Sequence, residues 1–162
     1  MTNQIDYVNE DGKTLGVTDL NIVHKNLLLH KSAHIFIVDS NGRVFCRKIA
    51  SGNPIYPGYW STSVGAHVLS GMDYDATAKE SLKSSLGVNC KLEMIGKVRI
   101  KDDRENEVSA TYVGYSNKVK INEKEAEDGR FFTLEELKDL MQKEQCTPHL
   151  LQSLELYLQK KH

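Results

Sequence analysis

Short apolar runs punctuated by Gly- and Asn-rich turns dominate the first part of this chain, and helical periodicity appears only later. Ile5 to Val17 reads as two short strands about Asn9-Glu10-Asp11-Gly12, whose Asp-Gly pair is a hairpin signal. Asp19 to Leu28 mixes polar and apolar positions and predicts one or two helical turns. Ala33 to Val38 is a continuous buried strand, closed by the tight turn Asp39-Ser40-Asn41-Gly42 and answered by a partner strand from Arg43 to Ile49. A loop from Ala50 to Trp60 carries two of the three prolines, and Ser61 to Leu69 is a strand leading into Ser70-Gly71. Asp75 is then the expected N-cap of a helix from about Ala76 to Leu86. Ala78, Leu82 and Leu86 recur every four residues to give it one apolar stripe, and Gly87 supplies the C-cap signal.

Strands are expected at Cys90 to Ile100, Val108 to Ser116 and Gly129 to Phe132. Thr133-Leu134-Glu135-Glu136 is a capping box for a helix through Met141. Thr147-Pro148 opens a last amphipathic helix, about 147–160, with Leu150, Leu151, Leu154 and Leu158 on its buried side. Strands in the middle with helices around them predict an α/β chain: a mixed sheet covered on both faces.

Composition narrows the function classes more than it names one. The 162 residues, 40% hydrophobic and 27% charged, fit a single soluble domain spanning residues 1–162. A net charge of −1 gives no general attraction to nucleic acid or anionic membrane, and no apolar run is long enough to span a bilayer. The polar start MTNQIDYVNEDGK is unlike a signal peptide. Three widely spaced cysteines, with no CxxC pair, predict reduced thiols and a cytoplasmic setting.

The segment with most chemical content is Gly65-Ala66-His67-Val68-Leu69-Ser70-Gly71-Met72 with the helix ATAKESLKSSLGV. Its framework resembles the Nudix box, the metal-binding motif of diphosphate-cleaving enzymes. Anchored on Leu82, Leu86, Gly87 and Val88, the box glutamate falls on Met72, its Arg-Glu pair on Glu80 and Ser81, and its Glu-Glu pair on Ser84 and Ser85. Serine hydroxyls are neutral and poor ligands for a hard divalent ion. The box therefore implies the fold while its metal-binding face is degenerate. Further landmarks widen the resemblance to nearly the whole chain: Val23-His24, Leu28-Leu29-His30, Tyr56-Pro57-Gly58-Tyr59-Trp60, Glu105-Asn106-Glu107 and Cys146-Thr147-Pro148-His149. They are similar to the isopentenyl-diphosphate-isomerase-like branch of the Nudix superfamily, which implies a Nudix fold, an α/β/α sandwich about a mixed β-sheet.

The same resemblance implies a second place for a metal. In the isomerases, three histidines and two glutamates hold a divalent ion, and the matching positions here are His24, His30, His67, Glu105 and Glu107. Departures count against isomerase chemistry: the proton-transferring cysteine falls at Gly65 and a late aromatic at His149. Glu80 and Glu125 are the remaining candidates for a catalytic carboxylate. Arg47, Lys48 and Arg99 are candidate phosphate contacts, and Tyr56 and Trp60 candidate pocket walls. Three functions remain open. The resemblance implies a hydrolase-like protein for a diphosphate-linked small molecule, with Mg2+ or Mn2+ as cofactor and with hydrolysis weak or lost. The alternatives are a non-catalytic ligand-binding module and an isomerase-type proton transfer. A homodimer is compatible with each.

Overall fold

The computed structural model describes residues 3–161. Its organising element is β3 (His30–Val38), nine residues buried at nearly every position. Burial on both faces follows from neighbours on both edges and helices above and below. Along one edge β8 (Asn106–Tyr115) runs parallel to it through the whole register from His30↔Glu107 to Val38↔Tyr115. Three strands share the other edge in turn, all antiparallel. They are β1 (Gln4–Val8) at His30, β6 (Val64–His67) at Ser32 to Ile35, and β4 (Val44–Ile49) at Val38. β2 (Thr14–Asp19) pairs with β1, β5 (Trp60–Ser61) and β9 (Ala126–Phe132) pair with β4, and β7 (Glu93–Lys101) pairs with β8. All nine strands belong to one mixed sheet.

Alternation along β3 sorts its side chains between two cores. Ala33, Ile35 and Ile37 meet Ala78, Leu82 and Leu86 of α2 (Tyr74–Leu86) on one face. Phe36 and Val38 meet Leu137 and Leu140 of α3 (Leu134–Lys143) and Leu150, Leu154 and Tyr157 of α4 (Pro148–Lys161) on the other. A short helix, α1 (Leu20–Lys25), follows β2. The expected α/β/α sandwich is the observed architecture. No helix among the described residues is long and apolar enough to cross a membrane.

Several boundaries differ from the sequence expectation for local reasons. The N-cap of α2 is Asp73, not Asp75: its carboxylate accepts from the Ala76 N–H at 2.8 Å and starts the helix at Tyr74. Asp75 lies in the first turn instead, where it accepts from the Tyr112 hydroxyl. Gly87 does cap the helix, in the left-handed conformation at φ 64°. The Thr133/Glu136 capping box is present in full. In α4 the buried stripe is Leu150, Leu154 and Tyr157, while Leu151 is 44% exposed. Leu151 sits about 100° around the helix from Leu150, which takes it off the face turned to the sheet.

The β3–β4 turn is held by one carboxylate. Asp39 accepts from the Asn41 and Arg43 N–H groups at 3.0 and 2.8 Å and from Arg43 Nε at 2.8 Å. Burial opposes its ionisation, but these hydrogen bonds and the Arg43 charge outweigh it and hold its pKa below the usual carboxylate range. A lowered folded-state pKa adds stability above the ordinary range that is lost as pH falls through the folded value. Asp39→Asn should therefore lower the melting temperature at neutral pH and flatten its fall on acidification. Thermal melts from about pH 7 to about pH 3 check this, and an unchanged acid limb contradicts it.

Candidate metal and ligand site

The register of β3 with its two neighbours assembles a polar cluster at its N-terminal end. His30 stands opposite Glu107 of β8, and Ser32 stands opposite His67 of β6. Glu105, two residues before Glu107, turns to the same face, and His24 reaches in from α1. His24 Nε2 lies 2.9 Å from Glu105 Oε1 and 3.3 Å from His67 Nε2. His67 Nε2 is 3.3 Å from both Glu105 Oε2 and Glu107 Oε2. His30 Nε2 is 3.2 Å from Glu107 Oε2 and 3.5 Å from Glu105 Oε1.

This donor set fits a divalent cation. Ligand atoms from His24, His30, His67 and Glu105 all lie within 4.8 Å of one another. His30 Nδ1 donates to the Leu28 carbonyl at 2.9 Å, so the neutral ring presents a lone pair at Nε2. That Nε2 and Glu105 Oε1 are both buried with no hydrogen-bond partner. Glu107 is oriented from behind: its Oε1 accepts from Ser32 Oγ and from His149 Nε2, each at 2.7 Å, which leaves Oε2 facing His30 and His67. Outer contacts of this kind fix the direction of a ligating carboxylate. Burial disfavours charge at Glu107, yet the charge of His149 and its hydrogen bond, joined by that of His67, hold its pKa well below the usual range. At His67 burial is likewise outweighed, by hydrogen bonds to Glu105 and Glu107, and its pKa rises to about 10. The cluster attracts positive charge.

A second group lies beside it. The His34 and His149 rings stack with centroids 4.4 Å apart and planes 21° apart. Thr62 Oγ1 donates to the Val64 carbonyl at 3.1 Å, so it accepts from His34 Nδ1 at 2.6 Å. Burial first, then the charge of His149, push the His34 pKa well below its ordinary value, so the ring is neutral. These two imidazoles and Glu107 are close enough to hold an ion together. Near-parallel stacked rings, however, aim their in-plane lone pairs along separate planes, which disfavours one ion at about 2.1 Å from both. His34 also fills the space above Gly65: a Cβ built there would lie 2.4 Å from His34 Cε1.

Both groups border a pocket of about 420 Å3 that also takes in Arg47, Tyr56, Lys124 and Glu125. Tyr56 donates to Asp102 Oδ2 at 2.6 Å and lies under the Arg104 guanidinium. Of the residues expected at the site, His67, Glu105, Glu107, Arg47, Tyr56 and Glu125 border the pocket, and His24 and His30 complete the cluster. The others lie elsewhere. Trp60 is 2% exposed in the α3/α4 core, where it packs on Phe132. Lys48 points to the opposite face of β4 from Arg47 and faces Glu127 at 4.0 Å. Arg99 pairs with Glu10 and Asn106. Glu80 is exposed on α2 and borders no pocket described here.

The serines of α2 are already engaged. Ser81 donates to the Ala78 carbonyl at 3.2 Å and Ser84 to the Ser81 carbonyl at 3.3 Å. Ser85 donates to both oxygens of Glu125 at 3.0 and 3.1 Å. No residue of α2 belongs to a potential metal-binding group among the described residues. Sequence reasoning passed over Ser32, His34 and Lys124, and read His149 only as a departure. For Ser32 and His34 a signal was present: with His30 they repeat at period two in β3, although Lys31 breaks the apolar alternation between them.

Comparison with known proteins agrees with this architecture. No family model matches the chain. Among curated proteins, isopentenyl-diphosphate Delta-isomerase 1 of Aromatoleum aromaticum is 29% identical over 94 residues, 58% of this chain and 53% of that protein. The isopentenyl-diphosphate Delta-isomerase of Serratia proteamaculans is 26% identical over 145 residues, 86% of this chain and 81% of that protein. The match thus spans about half the length of the first relative and most of the second. Among solved structures, a Deinococcus radiodurans protein superposes with a TM-score of 0.79 at 18% identity, covering 95% of this chain and 99% of that one. The Nudix domain of Shewanella oneidensis NrtR, solved with ADP-ribose, gives 0.64 at 17% identity over 82% of this chain and 88% of that one. The chain has the Nudix fold.

The packing of His34 on Gly65 yields a direct test. His34 is pinned by Thr62 and by its stack on His149, so it has no free direction in which to yield. Gly65→Ala should cost about 1–3 kcal/mol by overpacking. The added substitution His34→Ala should recover much of that loss in a double-mutant cycle measured by denaturant unfolding. Additive effects contradict the contact.

Proposed function

We propose that this Nudix-fold chain binds a diphosphate-linked small molecule in the pocket beside the His/Glu cluster, with a divalent metal ion as cofactor and with box-type hydrolysis weak or absent. The observation that carries the reading is the convergence of His24, His30, His67 and Glu105, with Glu107 Oε2 beside His30 and His67, around the buried, unpartnered His30 Nε2 and Glu105 Oε1. These five side chains would hold the ion. When bound, it would supply positive charge to diphosphate oxygens. Ser32 and His149 keep Glu107 aimed at the cluster, and the Leu28 carbonyl keeps the His30 lone pair turned inward. Weak hydrolysis follows from α2, where neutral serines engaged with carbonyls and Glu125 stand at the positions that resemble box glutamates. The ADP-ribose bound by the NrtR Nudix domain supports a diphosphate-containing ligand class.

Isomerase-type proton transfer is a second reading, favoured by the activity in the names of the sequence relatives. Gly65 carries no acid or base, and the neutral His34 ring occupies the space beside it. That weakens the reading at the position where the resemblance implies a proton donor.

Calorimetric titration with Mn2+ should give one equivalent bound. Glu105→Gln should weaken it by at least about a hundredfold, the upper end of what losing an outer-shell partner costs. Ser85→Ala should leave it unchanged. With the ion present, ADP-ribose should yield little AMP and ribose 5-phosphate, nucleoside triphosphates should yield little pyrophosphate or phosphate, and isopentenyl diphosphate should incorporate no deuterium. Rapid turnover, or no bound metal, contradicts the proposal.

A further inference from the structure

Each arginine other than Arg47 has a visible partner, as do some of the lysines. Arg43 pairs with Asp39, Lys48 with Glu127, Arg99 with Glu10 and Lys143 with Asp139. Arg104 and Arg130 lie over aromatic rings. Arg47 is different. It stands on β4 opposite Ser61 on one side and Gly129 on the other, on the α2 side of the sheet with Phe45. Among the described residues it forms no ion pair within 4.0 Å, and its buried Nε has no hydrogen-bond partner. The nearest opposing charge felt by its guanidinium is Glu125, already engaged by Ser85 and Asn122.

Arg47 as a whole is half-buried, but a buried guanidinium nitrogen without a partner is costly to keep. A planar guanidinium left in this state suits an anion that can accept from its fork with two oxygens, such as a phosphoryl group. Arg47 borders both the main pocket and the small void behind it, where Gly65, Ser85 and Glu125 also meet. Lys124 borders the same pocket from the loop before β9. On the α2 side no carboxylate cluster is present to recruit an ion among the described residues. Arg47 and Lys124 are the Arg and Lys side chains that line the main pocket among the described residues.

We propose that Arg47, assisted by Lys124, anchors one phosphoryl group of the ligand directly, so that this end of the pocket binds anions without a metal ion. The inference deepens the function proposed above and rests on its phosphorylated ligand class, but not on its metal site. The main pocket would then hold a diphosphate-containing molecule at two places of different chemistry: a fixed guanidinium and the His/Glu cluster.

The test is calorimetric binding of inorganic pyrophosphate in the presence of EDTA. The wild type should bind, and Arg47→Met should weaken binding about tenfold to a hundredfold, the range expected for losing charge-assisted hydrogen bonds. Arg47→Lys should fall between them, because a point charge replaces a fork. Thermal melting separates anchoring from structure. Removing a half-buried guanidinium whose buried Nε has no partner should leave the melting temperature of Arg47→Met equal to or above the wild type. A lowered melting temperature with unchanged affinity would mean that Arg47 serves only to balance Glu125, and would overturn the anchor. Wild-type binding that appears only when Mn2+ replaces EDTA would also overturn it, while leaving the metal-dependent reading intact. Pyrophosphate binding in EDTA by a protein that takes up no Mn2+ would support the anchor and sink the metal reading alone.

Discussion

The parallel pairing of β3 with β8 is the constraint on which the rest depends. It fixes His30 against Glu107, and through Ser32↔His67 of β6 it fixes the third side chain of the cluster. Side chains alternate with a period of two, so a slip of one residue would send His30, Ser32 and His34 into the apolar face under α2. The same slip would bring Ala33, Ile35 and Ile37 into the polar pocket. The two cores therefore hold the polar register in place: Ile35 and Ile37 can be buried against α2 only when His30 and Glu107 face the other way. Packing energy spread over the whole strand positions a few charged groups at its end.

The fold and the separation between packing and chemistry on α2 were legible in the sequence. Ala78, Leu82 and Leu86 carry a four-residue spacing that depends only on local geometry, and they are buried where that spacing puts them. Asp75 against Asp73 as N-cap was less legible, because two carboxylates two residues apart compete and tertiary contact decides between them. Here the Tyr112 hydroxyl takes Asp75. The five residues of the cluster came from resemblance, and their meeting depends on strand pairings remote in sequence. His34 was not anticipated, since its role follows from lying over a glycine on a neighbouring strand. Trp60 misled for a related reason: an aromatic in a proline-bearing loop reads as a pocket wall, but β5 turns it into the core under α3 and α4.

The two faces of the sheet divide packing from charge. The helix face that resembles a metal-binding box holds serines satisfied by local carbonyls and by Glu125. Negative charge is concentrated on the opposite face of the sheet, in Glu105 and Glu107, with three imidazoles around them. Two carboxylates held this close need positive charge, from a proton on His67 or from a metal ion. The Arg47 guanidinium has the inverse problem, a cation without an anion. A ligand rich in negative charge, bound together with a divalent ion, would resolve both.

Location of the ion is the most direct measure of this account. Crystals soaked in Mn2+ and measured at its absorption edge should show one anomalous peak, enclosed by His24, His30, His67, Glu105 and Glu107. A peak beside α2, near Ser81, Ser85 and Glu125, or no peak at all, would contradict it.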